Sequence, residues 1–422
     1  MVKFNRFTLN NGLRVIVHED NTTPMAVLNI LYDVGARDED PEQTGFAHLF
    51  EHLMFGGSAN IPNYDGPLQR VGGENNAFTS NDITNYYITL PSANLETAFW
   101  LESDRMLNLA FSEKSLEVQR NVVIEEFKQR YLNQPYGDVW LKLRPMVYKQ
   151  HPYRWATIGK TIKHIEDAKI EDVKAFFKKH YTPQSAIMVV GGDVKTEDIK
   201  VLAEKWFGSI PAGEKYVRDL PQEQPQIEER RETVVAKVPL NDVYIAFQME
   251  GRVDDSYYPV ELMSDILSRG NSSRLYRSLV KEKHIFSEVH AYITGSLDKG
   301  MFVLEGKPLE NVSIEQAEEA LWQELERLKN EDVPADELTK VKNKTEATMV
   351  FSEMSLLDKA MNLAFYELMG DADGFNHESA RFLAVTATQI KAHANKIFRK
   401  ENSSTLVYLA QSVNEPIQVI SE

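Results

Sequence analysis

The chain contains no cysteine in 422 residues. That excludes a disulfide, a thiolate zinc site and a cysteine nucleophile, so any metal must be held by histidine and carboxylate. Basic residues are also short: Lys and Arg number 47 against 63 Asp and Glu, a net charge of -16. This balance argues against nucleic acid or an anionic membrane surface as the partner and is compatible with basic or extended polypeptides. No apolar run approaches the ~20 residues of a membrane span. The start, Met1-Val-Lys-Phe-Asn-Arg-Phe7, lacks an apolar signal region. The expected compartment is the cytoplasm, or the periplasm if a leader was removed.

What is present is ample for more than one core. At about 100–200 residues per domain the length predicts two to four folded units. The clearest composition shift, Pro211 to Thr233, carries Pro221, Pro225 and the run Glu228-Glu-Arg-Arg231. It reads as an exposed linker, residues 211–232, between halves at 1–210 and 233–422. The halves end alike. A helical stretch, Ile170 to Tyr181, precedes an apolar strand at 186–190, and a second, Thr388 to Phe398, precedes another at 405–409. Val173-Lys-Ala175 recurs as Ile390-Lys-Ala392, which suggests a duplication.

In each half strands cluster early and helices follow. The first half shows strands at 13–17, 26–32 and a pair within 78–90, with helices at 95–107 and 113–131. The second shows strands at 243–249, 289–294 and 301–306, then helices at 314–329 and, unbroken, 335–368. The expected class is therefore α+β: two homologous sandwich halves, each a mainly antiparallel sheet packed with helices, not a doubly wound parallel fold.

His48-Leu-Phe-Glu51-His52 carries the chemistry. On a helix these residues stand at i, i+3 and i+4, within one face. Both imidazoles can reach one zinc ion at about 2.0–2.1 Å, and the intervening carboxylate can take a proton from its water. The order is the inverse of the commoner His-Glu-x-x-His pattern. Ten His and 63 acids in 422 residues give about 0.03 chance occurrences of this spacing. Leu49, Phe50, Leu53, Met54 and Phe55 surround it with apolar groups, and partly buried charges need compensation that a metal supplies. A third ligand must come from elsewhere. The helix at 113–131 offers Glu125 and Glu126, of which one can point inward with Val122 and Val123 while the other faces solvent.

At these residues the chain resembles the pitrilysin-like (M16) zinc metallopeptidases, and among them the short processing-peptidase-like branch. The resemblance runs through Gly35-Ala-Arg37-Asp38-Glu39, Thr44-Gly45 to Phe55, Gly73 to Ser80, Arg120 to Glu126, His151-Pro-Tyr153 and Tyr181-Thr-Pro183. It implies Glu126 as the distal zinc ligand with His48 and His52, and Glu51 as general base. It implies that Asn76-Ala77-Phe78-Thr79 is an edge strand that pairs with an extended peptide substrate. Gln119 stands where relatives often carry a Glu that supports a metal-bound His; an amide can still accept that hydrogen bond. Further, the resemblance implies one catalytic half and one closing half around a substrate chamber. Where the second half would repeat the zinc motif it has Val260, Leu262, Met263 and Leu267, which read as core.

Self-sufficient relatives place an Arg and, seven residues later, a Tyr in the closing half. The matching positions here hold Lys281 and Glu288, with Arg274, Tyr276 and Arg277 as alternatives. A lysine lacks the planar fork, and a carboxylate would oppose an oxyanion. The expectation is a zinc endopeptidase that takes Arg and Tyr from a homologous partner subunit in a heterodimer, or else is a homodimer. A non-catalytic assembly subunit is the rival reading.

Overall fold

The computed structural model describes residues 1–411. The first sheet has six strands: β1 (Asn5–Thr8), β2 (Arg14–Glu19), β3 (Met25–Tyr32), β4 (Glu74–Thr79), β5 (Thr84–Pro91) and β6 (Ala186–Gly192). Their order across the sheet is β1-β2-β6-β3-β5-β4. β2 and β6 run parallel and the other neighbours antiparallel. β3 and β6 are nearly continuous apolar runs, buried along almost their whole length. They are central because such residues must be covered on both faces. β4 alternates exposed and half-buried residues and pairs only with β5, so it forms one edge.

The second sheet holds β7 (Arg230–Ala236), β8 (Asp242–Met249), β9 (Phe286–Ile293), β10 (Gly300–Pro308) and β11 (Ser403–Ala410), in the order β7-β11-β8-β10-β9. Again one pair, β7 and β11, is parallel and the rest antiparallel. The strand plan from the parallel pair outward is the same in both sheets. With helices packed on each, the α+β class stands.

The two compact units are not two continuous stretches. One comprises residues 1–128, 151–221 and 346–380; the other comprises 129–150, 222–345 and, of the described residues, 381–411. The expected halves at 1–210 and 233–422 therefore need correction, because each lends a segment to the other unit. The cause is visible in the long helix expected over 335–368. It is broken: one helix runs Ala335–Ser352, another Leu356–Leu368. Ser355 is extended there, and its side chain accepts from the Asp358 N–H, capping the new helix. Ala360, Leu363 and Ala364 of that helix pack on Ile16, Val27, Leu31, Ile187 and Val189 of the first sheet. Each fully buried Leu or Ile contributes about 1.5–3 kcal/mol, enough to hold the segment there. An ion pair between Lys359 Nζ and Asp20 Oδ2 at 2.5 Å adds to it. In the other unit the helix Val139–Val147 lies on β8 and β11. Arg230 Nη1 donates to the Met146 carbonyl at 2.6 Å and Gln248 Nε2 to that of Val147 at 2.9 Å.

The linker is also more ordered than its composition predicts. Arg218 pairs with Asp38 at 2.7 Å and Asp33 at 2.8 Å. Glu223 is buried and accepts from the Lys149 and Gln150 N–H groups, while β7 already begins at Arg230. Among the described residues no helix is long and apolar enough to cross a membrane.

Candidate metal centre

The zinc motif folds as a short helix, Phe46–Leu53. Phe46, Ala47, Leu49, Phe50 and Leu53 are buried on it, and Phe50 stacks on Tyr181 with ring centroids 4.5 Å apart. His48, Glu51 and His52 are half-buried. The helix begins after Gly45, whose φ of +89 admits glycine readily; a Cβ there would stand 2.6 Å from the Ile158 carbonyl oxygen. Its first turn is capped from outside by Glu39. Glu39 Oε2 accepts from the Gly45 N–H and Oε1 from the Ala47 N–H, both at 2.9 Å. Burial pushes the Glu39 carboxyl up to about 8, against the pull of those N–H groups.

The helix Glu113–Phe127 supplies the third group. Ser112 caps it by accepting from the Ser115 N–H, and Leu116, Val123, Ile124 and Phe127 are its buried residues. This orientation turns Glu126 toward the motif and Glu125 to solvent, where Glu125 pairs with Lys128 at 2.7 Å. Glu126 Oε2 stands 3.6 Å from His48 Nε2 and 3.4 Å from His52 Nε2. One ligand atom from each of the three residues lies within 4.8 Å of the others. Two atoms bound to tetrahedral zinc at about 2.0–2.1 Å are about 3.3–3.4 Å apart. The donor set and its spacing therefore fit zinc, with two imidazoles and one carboxylate leaving a coordination position open. Gln119 is half-buried two turns before Glu126, and no hydrogen bond joins it to either imidazole.

Glu51 is held from the strand side. Thr79 Oγ1, at the end of edge strand β4, donates to Glu51 Oε2 at 2.5 Å. Alternation along β4 explains why: Asn75, Ala77 and Thr79 are half-buried, while Glu74, Asn76 and Phe78 face outward. Asn76 Oδ1 accepts from the Ala77 N–H at 2.8 Å. The family resemblance implied main-chain substrate contacts at Asn76 to Thr79, and the Thr79 hydroxyl was not foreseen as a partner of Glu51. The role of Glu39 was likewise not foreseen from the sequence; an acid six residues before a glycine that opens an apolar helix was the available signal.

The positions expected to lack Arg and Tyr lie in the second unit. Lys281 sits in a π-type turn, Tyr276–Glu282, 5.4 Å from the Tyr276 ring centroid. Glu288, on edge strand β9, is paired with Lys307. Of the alternatives, Arg274 is engaged by Glu337 at 2.7 Å.

Two family models and several known proteins match the chain. A family model described as insulinase (peptidase family M16) matches residues 14–153, and one described as peptidase M16 inactive domain matches residues 167–345. Over 413 residues the chain is 31% identical to the zinc protease PqqE of Helicobacter pylori, covering 96% of this chain and 93% of that one. It is 25% identical over 309 residues to a probable mitochondrial-processing peptidase beta subunit of Arabidopsis thaliana, covering 70% of this chain and 57% of that one. The crystal structure of a protease from Helicobacter pylori superposes with a TM-score of 0.90 at 29% identity, covering 97% of this chain and all of that one.

Proposed function

Because the chain belongs to peptidase family M16, we propose that it is a zinc-dependent endopeptidase acting on peptides or unfolded polypeptide segments. One observation carries this reading. His48, His52 and Glu126 converge at zinc spacing beside a carboxylate, Glu51, that an edge-strand hydroxyl holds.

His48, His52 and Glu126 hold the ion. When bound, zinc acts as a Lewis acid and brings the pKa of a coordinated water to about 7. Glu51 is the general base that receives the proton and then delivers it to the leaving amine. Thr79 keeps that carboxylate aimed by donating to one oxygen, which leaves the other oxygen to work. The outer edge of β4, through Asn76 to Thr79, adds an extended substrate as a further strand. Main-chain pairing of this kind reads shape rather than sequence, so it suits unfolded segments.

The test is Glu51→Gln. It is expected to retain stoichiometric zinc and to lower cleavage of an unstructured peptide by about 10²–10⁴. Retained cleavage sinks the assignment, and a zinc-free wild-type chain would favour a non-catalytic assembly subunit.

Partner dependence is the second element of the proposal. Lys281 and Glu288 cannot offer the fork and hydroxyl that relatives use on the substrate carbonyl, and Arg274 is already engaged by Glu337. The isolated chain is expected to cleave weakly until a homologous subunit of similar size is added. Full turnover by the pure chain, undiminished by Arg274→Ala and Tyr276→Phe, rules this out.

A further inference from the structure

The stretch Gly35 to Glu39 takes no part in the chemistry above, yet its hydrogen bonds run to both elements that make the site. On one side it is bound to the turn that follows β4. The Ala36 N–H donates to the Ser80 carbonyl at 3.1 Å and the Arg37 N–H to that of Asn81 at 2.9 Å. Arg37 Nη1 pairs with Asp82 Oδ1 at 3.1 Å, and the Tyr153 hydroxyl donates to the same carboxylate. Gly35 permits this approach, since a Cβ there would meet Asn81 backbone atoms at 2.5 Å. Trp155 Nε1 closes the bracket by donating to the Ala36 carbonyl at 2.9 Å. On the other side Glu39, 6% exposed, receives the Gly45 and Ala47 N–H groups, one on each oxygen.

A helix of eight residues has few internal bonds to fix its axis, and its first N–H groups have no partner within it. Here one carboxylate takes two of those groups from a segment anchored to the strand that holds Glu51. We propose that Glu39 is a positioning residue for the metal centre: it sets the axis of the motif helix relative to β4, so that His48 and His52 face Glu126 before any ion binds. This rests on the zinc reading given above. Touching neither imidazole, Glu39 acts through the backbone of the first helical turn. The two-point grip needs both oxygens as acceptors. Gln offers one acceptor and puts an NH₂ against the other N–H.

The test compares Glu39→Gln with the unaltered full-length chain, both stripped of metal and titrated with zinc against a chelator at alkaline pH, above the Glu39 titration. Cobalt replaces zinc in a second titration that reads the ligand-field spectrum. The variant is expected to bind zinc about 10- to 100-fold more weakly and to show an altered cobalt spectrum. A residue needed only for the fold lowers the melting temperature but leaves both readouts of the folded chain unmoved. Equal zinc affinity and an unchanged spectrum overturn the inference while leaving the zinc reading intact; a wild-type chain that takes up no zinc overturns both together. Hydrogen exchange on the unaltered metal-free chain needs no variant. The Gly45 and Ala47 amides are expected to be protected there, and rapid exchange at both, slowed only by zinc, contradicts a site set in advance.

Discussion

The two sheets of this chain share a strand plan, and among the described residues a candidate metal centre lies beside only the first of them. From the parallel pair outward, β2-β6-β3-β5-β4 answers to β7-β11-β8-β10-β9. In each unit a helix follows the second strand of that plan in the chain. In the first it is Phe46–Leu53, with apolar residues inward and His48, Glu51 and His52 half-buried. In the second it is Tyr257–Ser268, where every residue but Glu261 and Ser268 is buried. The scaffold is kept by packing alone, since it survives where the motif is absent. The candidate metal centre lies on a helix that is shorter, polar on one side and capped from outside.

That contrast can be broken by exchanging the kind of damage done to each helix. His48→Ala is expected to abolish zinc uptake and cleavage while changing the stability of the metal-free chain by less than about 1 kcal/mol. Met263→Ala, at a fully buried position, is expected to cost about 2–5 kcal/mol in denaturant unfolding and to leave zinc affinity unchanged. If the two variants behave alike in both assays, the division into a working helix and a packing helix fails.

A smaller effect sharpens the first half of the comparison. Thr79→Val removes the hydroxyl that holds Glu51 but keeps the strand former. Its kcat is expected to fall about tenfold with zinc content unchanged; a fall confined to KM would make Thr79 a substrate contact instead.

Two buried groups, one in each unit, respond to pH in opposite senses, while Glu39 of the first unit, raised by burial, acts in the direction of the second. In the first, burial pushes His180 down to about 3, with Lys179 and Arg218 adding to the shift. The unfolded chain then binds more protons than the folded one between pH 6.5 and 3, so stability falls as pH falls through that window. In the second, burial and the neighbouring Glu305 push Asp242 up to about 7. There the folded chain binds more protons between pH 3.8 and 7, and stability falls as pH rises. His180→Phe is expected to flatten the acid limb of the thermal stability profile, and Asp242→Asn the limb toward neutral pH. Unchanged limbs in melting experiments would remove this difference.

Much of this was legible in advance because short-range spacing carries it. The i, i+3, i+4 pattern of His48, Glu51 and His52 needs only a helix, and the apolar runs at 26–32 and 186–190 need only burial. Other features depend on partners far away in the chain. The break at Ser355 is weak locally: one serine cap interrupts an otherwise helical pattern. What moves the segment after it is the fit of Ala360, Leu363 and Ala364 against β3 and β6. The buried position of Glu39 was likewise hidden, since carboxylates are ordinarily exposed. Glu125 and Glu126 differ only in which way one helix is turned, which Leu116, Val123 and Ile124 decide by packing.

Metal analysis of three purified chains tests the central claim most directly. The wild type and Glu125→Gln are expected to carry stoichiometric zinc, and Glu126→Gln to lose it. Zinc retained by Glu126→Gln, or absent from the wild type, would contradict a centre built from His48, His52 and Glu126.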